Sequence, residues 1–299
     1  MGRSSPPVVA LPLDEAPPPG QSLTRRAVRR FMRNRAAMAG VMIIVVMTLL
    51  SVIVPMLSPG SLERVNWDEV LQPPSAAHLF GTDVNGRDLF VRTFYAGRIS
   101  LTIGVLATSV ALVIGVIYGA TSGYLGGRVD AVMMRICDVI YALPTLFFII
   151  ILVTVLGAKN IFIIFACIGA IEWLTMARIV RGQTLSVKKK EYVEAARAIG
   201  LSNRRILARY IVPNVTSPVI VYVTLLIPIN ILIESYLSFI GLGVQEPLSS
   251  WGQLISQGSN EIENAPWLLI FPSIMLTLTL FAFNFIGDGL RDVLDPRDR

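Results

Sequence analysis

One histidine and two cysteines in 299 residues exclude several kinds of chemistry. His78 alone cannot complete a serine, histidine and acid set, and it has no neighbours at zinc-ligand spacing. Cys137 and Cys167 form no CxxC pair and lie in or beside apolar segments, so neither a disulfide framework nor a metal centre is expected. No GxxxxGK phosphate loop followed by Ser or Thr occurs, so the chain does not bind ATP in that manner and is not expected to be an enzyme by itself. Charge is also scarce: 15% of residues are Asp, Glu, Lys or Arg, against roughly 25% in a soluble domain. With 54% of residues hydrophobic, the composition is that of an integral membrane protein. The net charge of +6 gathers beside apolar segments rather than on an aromatic-studded sheet or recognition helix, which argues for membrane topology and against nucleic acid.

The apolar runs predict an all-α protein with six membrane spans, at about residues 39–57, 99–120, 139–156, 161–176, 218–240 and 267–286. Residues 1–24 hold six prolines and no periodic pattern, and read as a disordered cytoplasmic tail before a transmembrane domain over 25–299. The first long apolar run starts only at Ala39 and lacks a small-residue cleavage site, so it reads as a span and not a signal peptide. Twenty-one of the 26 Lys and Arg fall in segments assigned to the inside and five outside, and Gly241 to Pro266 has none. That bias puts both termini in the cytoplasm. Gly104, Thr108, Gly115, Gly119 and Gly123 recur mostly every four residues, the spacing that lets membrane helices pack closely. Asp88 is placed to cap a short outer helix ending near Ala96. Asp83, Asn85 and Asp88 form a turn in preference to a calcium loop.

The most informative stretch is residues 178–213, with nine Lys and Arg against Glu191 and Glu194. It reads as helix, turn, helix: helical residues from Tyr192 to Ile199, Gly200 as a left-handed cap, Ser202 as an N-cap, and a second helix stopping at Pro213. Glu194, Ala195 and Ala196 put one acid and two minimal side chains on successive positions, where a partner surface can approach closely. This pattern, with Gly200 four residues beyond Ala196 and then Ile211-Val212-Pro213, resembles the EAA loop of ABC-importer permease subunits. A basic linker helix held near anionic lipid would explain the charge but not the spacing. Further runs are similar to the peptide and nickel branch of that family, above all to C-type subunits of oligopeptide permeases. They are Phe80 to Asp88, Arg178 to Leu185, Glu234 to Gly252, and Asn284 to Asp292 followed by Leu294-Asp295-Pro296.

The resemblance implies a coupling helix around Glu194, Ala195, Ala196, Gly200 and Pro213 that docks on a separate ATPase and transmits its closure. It also implies a second permease chain, two ATPase subunits holding ATP and Mg, an extracytoplasmic peptide-binding protein, and residence in the bacterial cytoplasmic (inner) membrane. Dipeptide, oligopeptide and nickel importers share much of the pattern. Within the fifth span Asn230 and Glu234 share a face, and either line the translocation path or make structural hydrogen bonds to a neighbouring helix. Glu172, near the inner end of the fourth span, is expected in an interfacial ion pair. Two other readings stand beside the importer: an ion-coupled carrier with Glu234 as its site, and a membrane scaffold recruiting partners through the basic loop.

Overall fold

The computed structural model describes residues 23–58, 64–157 and 161–294. Apart from an isolated bridge between Thr82 and Asp88, all regular structure among these residues is helical. The proposed tail at 1–24 falls outside them except for its last two residues, which open the basic helix α1 (Leu23–Arg33). Helix α2 (Arg35–Leu57) follows, capped by the Asn34 side chain accepting from the Ala37 amide at 3.1 Å.

Asp88 caps a helix as expected, its carboxylate accepting from the Val91 amide at 3.0 Å. That helix does not end near Ala96. α3 (Leu89–Leu125) runs unbroken for 37 residues, because nothing between Asp88 and Gly126 (φ 69°) supplies a stop. At roughly 1.5 Å per residue it outreaches the bilayer's hydrocarbon core. It packs along α6 (Ile161–Val187) through Gly115, Gly119 and Gly123, whereas the predicted Gly104 abuts Ile231. A Cβ at Gly119 would lie 2.2 Å from the Ala177 carbonyl oxygen, and one at Gly115 would lie 2.5 Å from the Met176 Cβ.

The third span differs from its expectation. Residues 139–156 are not one helix: α4 (Gly127–Tyr141) and α5 (Thr145–Leu156) meet at an angle of 83°. Pro144 has no N–H to continue the ladder and disfavours helical geometry at Leu143, so the break falls there. Among the described residues, five helices are long and apolar enough to cross a membrane, or six if this bent pair counts as one.

Beyond α6 come α7 (Glu191–Ala198) and the short α8 (Asn203–Ile206), then a π-helical turn (Leu207–Ile211) and α9 (Val212–Phe239). The expected stop at Pro213 is absent. Asn203–Phe239 is one 37-residue rod, and the widened turn places the Val212 amide on the Leu207 carbonyl just before the proline. Proline has no amide to offer its helix, and it sits here in the first turn of α9, where that lack is cheap. Pro228 likewise lies inside α9 without ending it. The outer helix α10 (Trp251–Asn260) and α11 (Trp267–Leu294) complete the chain.

Candidate functional site

The stretch 191–213 folds as a helical hairpin on one end of the bundle. Gly200 adopts φ 81°, and the Gly200 and Leu201 amides close on the Arg197 and Ala196 carbonyls at 3.0 and 3.2 Å. These two bonds make the left-handed cap that the sequence anticipates. A Cβ at Gly200 would meet nothing within 4 Å, so the backbone angle and not crowding demands glycine.

The tripeptide at 194–196 is divided by the helix. Glu194 and Ala195 are exposed, whereas Ala196 is buried with Val193 in a cluster shared by Ala120, Tyr124, Met176 and Val180. The sequence offers both alanines as a surface for a partner, but Val193 and Ala196, three residues apart, share the face turned to the bundle, so only Ala195 is left outward. The outward face instead gains Tyr192 and Ile199, the latter 75% exposed. With Ala195 they recur at three- and four-residue spacing, an apolar strip on a charged hairpin.

Polar contacts tie the hairpin to the bundle. Tyr124 on α3 donates to the Asn203 side chain at 3.0 Å, and the Arg197 and Lys188 cations lie over its ring. Within the bundle beside it, Asp130 on α4 receives Nε and Nη2 of Arg181 on α6 at 2.5 and 2.6 Å and the Ser122 hydroxyl of α3 at 2.5 Å. Pro213 lies where the hairpin becomes α9, inside the continuous helical segment Asn203–Phe239.

Roughly 26 and 32 Å further along α9 sit Asn230 and Glu234, both fully buried within the chain. Asn230 Nδ2 donates to the Thr108 hydroxyl on α3 at 2.8 Å; its Oδ1 has no partner among the described residues. Glu234 accepts from Ser100 at 3.0 Å and from Ser238 at 2.6 Å, with Ser235 at 3.5 Å. The sequence marks Thr108 only as a small packing residue and does not mark Ser100, because both lie more than a hundred residues from their partners along the chain. Glu172 is half-buried, and the ion pair expected for it is absent among the described residues.

On the opposite end, Asp83 organises the loop before α3. Its Oδ1 accepts from the Asn85 and Arg87 amides at 2.8 Å each, while Oδ2 receives Arg87 Nε at 2.8 Å and Arg92 Nη1. Oxygens so committed make a turn and leave none to hold calcium. Arg87 reaches on to Glu246 at 3.0 Å and Arg92 to Ser249 at 3.0 Å, fastening the loop to the segment before α10. Burial opposes the charge on Glu246, but Arg87 and Arg92 outweigh it and hold the carboxyl below its ordinary value. Burial likewise opposes the charge on Arg87, and Asp83 with Glu246 overcomes it and raises the guanidinium further.

Residues 99–299 match the family described as binding-protein-dependent transport system inner membrane component, and residues 22–74 match the N-terminal membrane domain of oligopeptide transport permease C. The chain is 51% identical to the oligopeptide transport system permease protein OppC of Haemophilus influenzae, over 97% of this chain and 94% of that one. It is 55% identical to the OppC protein of Escherichia coli K12, over 94% and 93%. It is also 45% identical to the dipeptide transport system permease protein DppC of Bacillus subtilis, over 96% and 89%. The chain therefore belongs to the family of binding-protein-dependent transport system inner membrane components, as a multi-pass membrane subunit that leaves ATP hydrolysis to a separate protein.

Proposed function

We propose that this permease subunit carries oligopeptides inward together with a second, related permease chain. Two ATPase subunits holding ATP and Mg drive it, and an extracytoplasmic peptide-binding protein delivers the cargo. The choice of oligopeptide rests on the relatives named for oligopeptides at 51% and 55% identity, above the 45% of the dipeptide relative. Both termini and the hairpin at 191–213 lie on the cytoplasmic side in this reading, which agrees with the Lys and Arg bias of the loops.

The observation that carries the coupling role is the continuity of Asn203–Phe239. An ATPase cleft grips Glu194, Ala195 and the strip of Tyr192 and Ile199. Its closure moves α7 and α8, and the rod beyond Pro213 carries that displacement to Asn230 and Glu234. There hydrogen bonds to α3 make two helices move as one. Asn230 and Glu234 thus transmit motion beside the pathway and do not touch cargo. The carrier reading is disfavoured by the same geometry, since a coupling-ion site needs an access route and Glu234 is fully enclosed by its own chain.

The test is uptake and hydrolysis measured together in vesicles holding the assembled complex. Replacing Ala195 with Trp is expected to abolish ATP-driven peptide uptake while the chain still inserts and folds. Full uptake by that variant, or uptake that follows an ion gradient without ATP, overturns the proposal.

A further inference from the structure

We infer that α4 is an oblique interfacial helix whose exposed face binds anionic phospholipid headgroups through Arg128 and Arg135. Three contacts fix how α4 lies. Asp130 pairs with Arg181, Asp138 with Arg178, and the Tyr141 hydroxyl meets that of Thr175. From Asp130 to Tyr141 is about 16 Å along α4, while their partners cover only about 9 Å of α6. The two helices therefore cross, and they do so at the end of the bundle that carries the basic hairpin. α5 behaves differently: Ile149 and Val153 pack in one cluster with Ile164, Cys167 and Ile168 of α6, and the 83° bend at Pro144 separates the two directions.

The faces of α4 are sorted by charge. Asp130 turns inward to Arg181, while Asp138 stays about half exposed and is paired with Arg178 on α6. Val129, Val132, Ile136 and Val139 recur every three or four residues and are all exposed. Arg128 and Arg135, seven residues apart, border that strip, are exposed, and have no ion pair among the described residues. An apolar strip edged only by cations suits the boundary between acyl chains and acidic headgroups, with the arginine stems lying along the apolar surface. Charge complementarity selects an anionic headgroup here, because Arg128 and Arg135 border the strip without an ion pair among the described residues while Asp138 beside them is already held by Arg178. That the lipid is of the inner leaflet rests on the cytoplasmic placement proposed above; the binding itself does not.

The experiment uses the full chain in its assembled complex, in vesicles of phosphatidylcholine with a minority of phosphatidylglycerol. Val132→Cys places a fluorophore on a side chain that is 61% exposed, while Cys137 and Cys167 are buried and escape labelling. Brominated phosphatidylglycerol is expected to quench the label at least about three-fold more than brominated phosphatidylcholine at equal mole fraction. In the Arg128→Gln, Arg135→Gln double variant the ratio should fall to one. Equal quenching by the two lipids in the chain with its arginines intact overturns the proposal. Quenching by neither overturns it too, and assigns the face to a protein neighbour. A membrane-impermeant thiol reagent applied to each side reports the leaflet separately, so an error in orientation is distinguishable from an absence of lipid binding.

Discussion

The Ser100 hydroxyl donates to Glu234 at 3.0 Å and accepts the Trp251 amide at 3.2 Å, so one oxygen on α3 joins α9 to the start of α10. The Trp251 indole returns the link, donating to the Thr93 carbonyl at 3.0 Å from a fully buried position. Gly97 makes room for that ring: a Cβ there would lie 2.8 Å from Trp251 Cζ2. The outer half of the bundle is thereby clamped around a cage of hydroxyls and a carboxyl group.

Glu234→Ala is expected to leave the Ser100 and Ser238 hydroxyls without their acceptor, lowering stability by about 2–6 kcal/mol at roughly 1–3 kcal/mol for each orphaned buried group. Glu234→Gln keeps the volume and an acceptor oxygen, so it should retain most of the stability and most of the peptide uptake. Thermal unfolding of the purified complex and uptake in vesicles check the two halves. Loss of uptake in the Gln variant with stability intact would show that the carboxyl group does more than hold helices together.

Gly200 offers a cleaner separation of folding from coupling. At φ 81° a β-branched residue is strained by about 1–3 kcal/mol, and the hairpin must reshape to relieve it. Asn tolerates this region, so Gly200→Asn should keep uptake near its usual rate while Gly200→Val loses most of it with hydrolysis persisting. The ratio of peptide carried to ATP hydrolysed, measured for both variants, decides the point.

At the outer end, Asp83→Asn leaves Arg92, only 2% exposed, beside a neutral amide. The expected cost is about 3–5 kcal/mol, as for breaking a buried ion pair. Glu246 makes a smaller, pH-dependent contribution, being 47% exposed at its side chain and therefore screened. Its carboxyl is held below the usual 4.5, so its stabilisation is complete above that value and is lost as pH falls through the lowered one. Amide-exchange protection in residues 83–92 should accordingly fall as the pH drops below 4.5, and Glu246→Gln should remove that acid-dependent part.

The spans and the hairpin are legible in the sequence because hydropathy, loop charge and the Gly200 cap are local signals. The seam between α3 and α6 is legible too, through Gly115, Gly119 and Gly123. What escapes depends on neighbours brought from afar or on backbone registers without a residue code. Ser100 and Thr108 look like ordinary small residues in a span until Glu234 and Asn230 are packed against them. Ala196 is indistinguishable from Ala195 until the helix chooses a face. Pro144 and Pro213 send the same local message, yet one breaks its helix at 83° and the other opens the last stretch of a rod. The difference lies in position: Pro213 falls in the first turn after a π segment that has already shifted the ladder by one residue.

That π segment supplies the last prediction. The Val212 amide reaches the Leu207 carbonyl, so five residues close a turn that an α-helix closes with four. One extra residue turns everything before it by about 100° relative to α9, and this sets which face of α7 looks outward. Ile206 and Ile211, both fully buried, lock the register from either side. Pro213→Ala should therefore be nearly neutral in stability and uptake, because restoring an amide does not remove the inserted residue. Deleting Ala208 instead restores a plain α-helix and rotates the hairpin, pulling Val193 and Ala196 from their cluster or turning Tyr192 and Ile199 away from a partner. Such a chain is expected to insert and to keep the Ser100 to Glu234 clamp, as judged by protease resistance of its outer half. It should neither retain ATPase subunits on purification nor carry peptide. Retention of the ATPase subunits by the deleted chain would mean that the register of the π turn does not set the docking face.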